Sequence, residues 1–169
     1  MKKGAILIED LYNELEFWVP FYRLIEAGVE MTVVGPKADT TYHSKIGMEA
    51  TSDAAAAELN GADFDVIVIP GGYAPDRMRR DAGMVDLVRD AHDAGKLVAF
   101  ICHAGWLPIS AGIVKGKKLT SFFAIKDDLV NAGAEWVDAA VVRDGNMITS
   151  RTPADLPDFC RAIVEALAE

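Results

Sequence analysis

The stretch VAFICHAGWLPISAG, residues 98–112, decides the fold of this 169-residue chain. It joins a continuous apolar run to a segment of helical period and places Cys102 and His103 at the junction. An apolar run without polar alternation is the pattern of a strand buried on both faces, as in a parallel sheet. Three further runs share it: AILI (Ala5–Ile8), MTVVG (Met31–Gly35) and DVIVIPGG (Asp65–Gly72). Helical segments separate them. In ELEFWVPFYRLIEAG (14–28), Leu15, Trp18, Val19, Tyr22 and Ile25 recur at three- and four-residue steps, and Gly28 stops the helix. Pro20 lies inside that pattern and predicts either a kink or a later helix start. AGMVDLVRDAHDAG (82–95) repeats the design and ends on Gly95.

Farther along come a strand near Leu119–Ser121, a helix AIKDDLVNAG ending at Gly133, and the segment AAVVRDGNMITS. In the last of these, Asp144-Gly145 is a hairpin turn signal. A final helix starts near Pro153, and AAAA (Ala54–Ala57) reads as a short helix. Strands alternating with helices predict right-handed βαβ units and a doubly wound α/β sandwich. No linker, repeat or low-complexity tract divides residues 1–169, which are expected to form a single domain.

Composition narrows the function. A net charge of −9 leaves no basic face for nucleic acid. No apolar run approaches the ~20 residues that span a bilayer, so no membrane partner is expected. In MKKGAILIED the apolar run after Lys3 is too short for a signal peptide, and a cytoplasmic protein with reduced thiols is expected. Cys102 and Cys160 lie far apart with no CxxC spacing, so no metal is expected. Neither GxxxxGK[ST] nor GxGxxG is present, so nothing points to a nucleotide cofactor.

In open α/β sheets, ligands gather at the carboxyl ends of the strands. The segment after Ile8, the loop after Val34, Gly71-Gly72 and Cys102-His103 all fall there. At a tight strand-to-helix turn a cysteine is exposed, and the helix N-terminus is expected to lower its pKa below the free value of ~8.5. The same N–H groups hold an oxyanion, and the small Ala104 and Gly105 permit close approach. The competing reading is a core cysteine with a chance histidine neighbour. His103 follows Cys102 directly, so their side chains are expected to point apart. His103 then acts as a base only if substrate lies between them or another group turns it. Acids available at the same mouth are Glu9, Asp10, Glu14, Glu16 and Asp76, each of which also reads as a solvated charge. Gly71-Gly72 suits a turn whose N–H groups face the crevice. Trp106 either walls the pocket or packs. His43 and His92 read as surface residues, and Cys160 as core.

VIVIPGGYAPDRMR (66–79), VAFICHAG (98–105), GKKLTSFFAIKDDLVNAGAEWVD (116–138) and VRDGNMITSRTPADLPDF (142–159) together resemble the ThiJ/PfpI superfamily, and its PfpI-like branch in particular. The resemblance covers essentially the whole chain. It implies a flavodoxin-like sandwich, related to class I glutamine amidotransferases, with Cys102 on a strained nucleophile elbow. It also implies that Glu16, four residues before Pro20, hydrogen-bonds Cys102. His103 would be paired with an acid from a neighbouring subunit, here Asp76 in GGYAPDR, where the family motif has glutamate. The chain departs from the pattern at Asn13, where PfpI-like proteins commonly carry a second glutamate at the site entrance. It departs again in SKIG (Ser44–Gly47), where many relatives have histidine before the glycine.

What the resemblance implies is a cofactor-free, cysteine-dependent enzyme acting on reactive carbonyls or their protein adducts in stress protection. Gly71, Gly72 and Ala104 would serve the oxyanion or substrate, with Asn13 and Trp106 at the entrance. An intracellular cysteine peptidase is the alternative enzyme, and a redox sensor or chaperone built on an oxidisable Cys102 the alternative of another class. The partners implied are a small carbonyl or peptide substrate and further copies of the chain, from homodimer to hexamer.

Overall fold

The computed structural model describes residues 1–169. The chain opens with β1 (Lys3–Leu7), α1 (Glu14–Glu26) and β2 (Glu30–Gly35). A hairpin, β3 (Thr41–His43) and β4 (Glu49–Thr51), and the short β5 (Ala54–Ala55) follow. Next come β6 (Val66–Ile69), α2 (Ala74–Met78), α3 (Ala82–Asp93), β7 (Leu97–Ile101) and α4 (Trp106–Ala111). The chain closes with β8 (Lys118–Leu119), α5 (Lys126–Asn131), β9 (Glu135–Trp136), β10 (Val141–Asp144), β11 (Met147–Ser150) and α6 (Leu156–Ala168).

Seven strands make the main sheet in the order β10-β11-β7-β6-β1-β2-β5. All its pairings are parallel except the β10–β11 hairpin, which turns at Gly145-Asn146 directly after Asp144. The continuous apolar runs have the cause read from them: β6 and β7 are buried at every position. β1 connects to β2 on one side, whereas β6 and then β7 follow on the other. With right-handed crossovers, α1 therefore lies on one face of the sheet and α3 on the other. α6 packs beside α1, and α4 beside α3. The reversal falls between β1 and β6, which is where a doubly wound sheet opens a crevice. The fold is α/β and flavodoxin-like.

Helix ends follow local chemistry. Asn13 Oδ1 accepts from the N–H groups of Leu15 and Glu16, both at 3.1 Å, and so starts α1. Asp81 does the same for α3 through Met84 N–H at 2.9 Å. Pro20 stays inside α1, which runs unbroken from Glu14. Its missing N–H leaves the Glu16 carbonyl without its usual helical donor.

Two expectations are corrected. Ala54–Ala57 is not a helix: Ala54 and Ala55 pair with β2, and a 3-10 turn begins at Ala56. The stripe read on α1 is the outer one. Glu16, Phe17, Pro20 and Leu24 face the core, while Leu15, Val19, Tyr22 (61% exposed) and Ile25 face out. α1 carries apolar residues around most of its circumference, so periodicity alone does not choose the buried face. An acid buried in place of a leucine is a structural decision made by the site.

Candidate active site

Cys102 directly follows β7 with φ 62, in the left-handed region that a side chain disfavours. Such strain, of order 1–3 kcal/mol, persists only where the surroundings over-determine it. The surroundings do so here. The Cys102 carbonyl accepts from Phe122 N–H at 3.1 Å, and residues Cys102–Gly105 form a 3-10 turn leading into α4. Gly71 presses against the elbow from the end of β6. A Cβ there would stand 2.8 Å from Cys102 Cβ and 2.5 Å from Glu16 Oε2, so only glycine fits. Gly72, at φ 83, continues the turn.

Glu16 is completely buried. Its Oε2 accepts from Gly71 N–H at 2.8 Å, and the polar side chain it meets is the Cys102 thiol. Burial pushes the carboxyl up to about 7, against the pull of the Gly71 N–H. The same burial, reinforced by the negative charge of Glu16, pushes the Cys102 thiol up to about 12. The N–H groups of His103 and Gly72 act in the opposite direction and lose. This corrects the expectation of a thiolate made by a helix N-terminus. The turn after Cys102 is 3-10, α4 has only six residues, and a buried acid lies against the sulfur. At neutral pH the sulfur is therefore a protonated thiol, beside a carboxyl that titrates near working pH.

His103 is also placed differently from the expectation. Its Nδ1 lies 3.2 Å from Cys102 Sγ. The left-handed elbow and tight turn bring two consecutive side chains together, where an extended backbone would separate them. The imidazole stacks on Phe122 (centroids 5.0 Å apart, 29° between planes) and meets Trp106 edge-on at 5.3 Å. Burial, aided by the positive charge of Lys45, holds its pKa below the ordinary histidine value. His103 is therefore a neutral base at pH 7.

These groups open into a cleft of about 410 Å³, whose walls include Asn13, Lys45, Tyr73, Trp106, Phe122 and Thr152. Trp106 is thus a wall, fixed by its Nε1–H donating to Asp128 at 2.9 Å. Asn13 is both wall and cap. The Gly72 N–H acts to lower the thiol pKa, whereas that of Gly71 is committed to Glu16. Ala104 is buried in the turn beneath the site. Asp76 lies one turn into α2, ion-paired with Arg80 of its own chain, and is not on the cleft wall. Asp10 accepts from His43 N–H, and Glu9 accepts from Asp10 N–H. No cluster of three or more His, Cys, Asp or Glu side chains is arranged to hold a metal ion. Sequence reasoning missed Phe122, Tyr73, Lys45 and Thr152. The signal for Phe122 was the aromatic pair in TSFF and that for Tyr73 its place directly after Gly71-Gly72; nothing local marked the other two.

A doubly wound sheet with a strained cysteine elbow, a buried glutamate and an adjoining histidine defines a nucleophile-elbow protein of the flavodoxin-like class. The chain belongs to the DJ-1/PfpI family, whose profile matches residues 2–166. It is 41% identical over 162 residues to a deglycase of Pyrococcus abyssi, covering 96% of this chain and 97% of that one. It is 35% identical over 166 residues to a putative cysteine protease of Bacillus subtilis, covering 98% of each. A crystal structure from Anabaena variabilis, with a DJ-1/ThiJ/PfpI-like domain and a ferritin-like domain, superposes with a TM-score of 0.97 at 43% identity. That match covers 99% of this chain and 48% of the two-domain protein.

Proposed function

We propose that the protein is a cofactor-free, cysteine-dependent enzyme that acts on reactive carbonyl compounds and their early adducts with amines, in stress protection. The observation that carries this reading is the buried Glu16 carboxyl, held near 7, against a thiol on a strained elbow. Kinship with a protein named as a deglycase supports the choice of substrate.

For a 2-oxoaldehyde, Cys102 Sγ adds to the aldehyde carbon while the thiol proton passes to ionised Glu16. A C–S bond forms, and the carbonyl electron pair becomes an oxyanion facing the Gly72 N–H. His103 takes the hydrogen of that carbon as a proton and returns it to the neighbouring ketone carbon, while Glu16 passes the former thiol proton to the ketone oxygen. The first carbon is thereby oxidised to a thioester and the second reduced to an alcohol, with no external oxidant. Water cleaves the C–S bond, releasing a 2-hydroxy acid and the thiol. In an amine adduct, sulfur displaces nitrogen at that carbon: the C–S bond forms, the C–N bond breaks, and the amine leaves with the proton that Glu16 took from the thiol. The test is product analysis with methylglyoxal and with a methylglyoxal-treated arginine peptide. One lactate per carbonyl lost is expected, together with recovery of the unmodified peptide. Cleavage of peptide bonds without lactate would instead support the peptidase reading, which the relationship to the Bacillus protein favours.

No helix is long and apolar enough to cross a membrane. We propose a cytoplasmic location on separate grounds, because the chemistry needs Cys102 reduced. We further propose a homodimer or higher oligomer in which Asp76 serves His103 of a neighbouring copy. The exposed apolar face of α1 supports association. Asp76 lies off the wall of its own cleft, which suits a role in another. Neither Cys102→Ala nor Asp76→Ala alone is expected to be active. After subunit exchange, a symmetric dimer of the two should regain about a quarter of wild-type turnover, because half the dimers are hybrid and one of their two sites is intact. No recovery, with exchange verified by mass, means that the site is complete within one chain.

A further inference from the structure

Lys45 is the one Lys or Arg side chain on the wall of the Cys102 cleft. The turn that carries it is well tied. Ser44 is buried, and its Oγ accepts from Ile46 and Met48 N–H at 3.3 and 3.0 Å. Lys45 N–H donates to the Tyr12 carbonyl at 3.0 Å, and Gly47 turns the chain with φ 87. Although the backbone is held, the ammonium forms no ion pair in the chain. The acids beside this turn are engaged elsewhere: His43 lies 3.8 Å from Asp10 and 3.2 Å from Glu49. The charge of Lys45 nevertheless acts on the reacting groups, lowering the pKa of His103 and opposing the rise at Glu16.

The rest of the entrance favours an anion there. Asn13 is neutral, and its acceptor Oδ1 is committed to capping α1. Glu16 is fully buried on the floor, and the remaining walls are largely aromatic or backbone. In a chain of net charge −9, an unpaired cation on the wall of a nucleophile's cleft selects by charge.

We propose that Lys45 is a specificity-determining residue that pairs with a carboxylate carried by the carbonyl substrate or formed on it as the 2-hydroxy acid develops. The cleft thereby prefers such compounds to carbonyls that remain neutral. The preference rests on the carbonyl reading of the site, so its test reads alkylation rather than turnover.

Rates of Cys102 modification by iodoacetate and by iodoacetamide, followed by peptide mass, give a ratio in which thiol reactivity cancels. Lys45→Met is expected to lower the iodoacetate-to-iodoacetamide ratio about tenfold, and Lys45→Arg to retain it within about twofold. Glycolate should protect wild-type Cys102 from iodoacetamide at lower concentration than glycolamide, a difference that Lys45→Met removes. A ratio that Lys45→Met leaves within about twofold of wild type overturns the pairing, whatever the carbonyl turnover. The expected shift in a protein without carbonyl turnover sinks the enzyme reading and leaves the carboxylate site standing.

Discussion

Cys102→Ser is expected to lower carbonyl turnover at least ~1000-fold while leaving the melting temperature within a few degrees of wild type. Serine keeps the size of the side chain and its place at φ 62, so neither the elbow nor the contact with Gly71 changes. What changes is the proton. A hydroxyl ionises far above a thiol, and Glu16, held near 7, is too weak a base to remove its hydrogen at a useful rate. Cys160 is no substitute, being buried in α6 with its thiol pushed up to about 11. The substitution also separates enzyme from sensor. A protein that only reports oxidation loses its peroxide response in Cys102→Ser and had no carbonyl turnover to lose. Serine turnover within tenfold of wild type means that the chemistry is not at Cys102.

The fold was legible because burial on both faces writes an unmistakable pattern. β1, β2, β6 and β7 coincide with the four apolar runs, and the hairpin turn falls at Gly145-Asn146, one residue beyond the Asp144-Gly145 signal. α1 was harder. Gly28 marked its end, but Pro20 left its start open, the Asn13 cap going unread. Its orientation did not follow either, since apolar residues nearly encircle it. The elbow cysteine was legible from position alone, whereas its protonation state was not. The expected depression relied on one nearby effect, a helix N-terminus. The rise comes instead from burial and from Glu16, which is 86 residues away in sequence and adjacent only in space. His103 illustrates the same limit on a shorter scale. Adjacent side chains diverge on an ordinary backbone, and only the left-handed turn at Cys102 brings Nδ1 to 3.2 Å from sulfur. Lys45 enters the cleft through a β3–β4 turn whose sequence carries no periodic or motif signal.

Glu16→Gln is expected to make the fold more stable and the enzyme slower, with both effects depending on pH. The folded chain binds the Glu16 proton more tightly than the unfolded chain, since burial raises its pKa from 4.5 to about 7. The stability associated with the protonated acid is thus fully present below about 4.5, declines as pH rises toward 7, and is absent above it. The ionised carboxylate then costs the folded state about 3 kcal/mol. Glutamine reproduces the protonated form, with Oε1 accepting from Gly71 N–H and the amide facing the thiol. Urea denaturation should therefore find Glu16→Gln more stable than wild type by up to ~3 kcal/mol at pH 8 and equal to it near pH 4. Turnover and Cys102 alkylation in the wild type should rise with pH through an inflection near 7, as Glu16 becomes able to accept the thiol proton. In Glu16→Gln that inflection should vanish, and the rate at pH 8 should fall ~100-fold. A residue that merely filled space would change neither profile. One that only tuned packing would change stability without the inflection. A gain in stability coupled to a loss of the pH 7 step is the signature of a carboxylate kept buried, at a cost to the fold, because the cysteine needs a base.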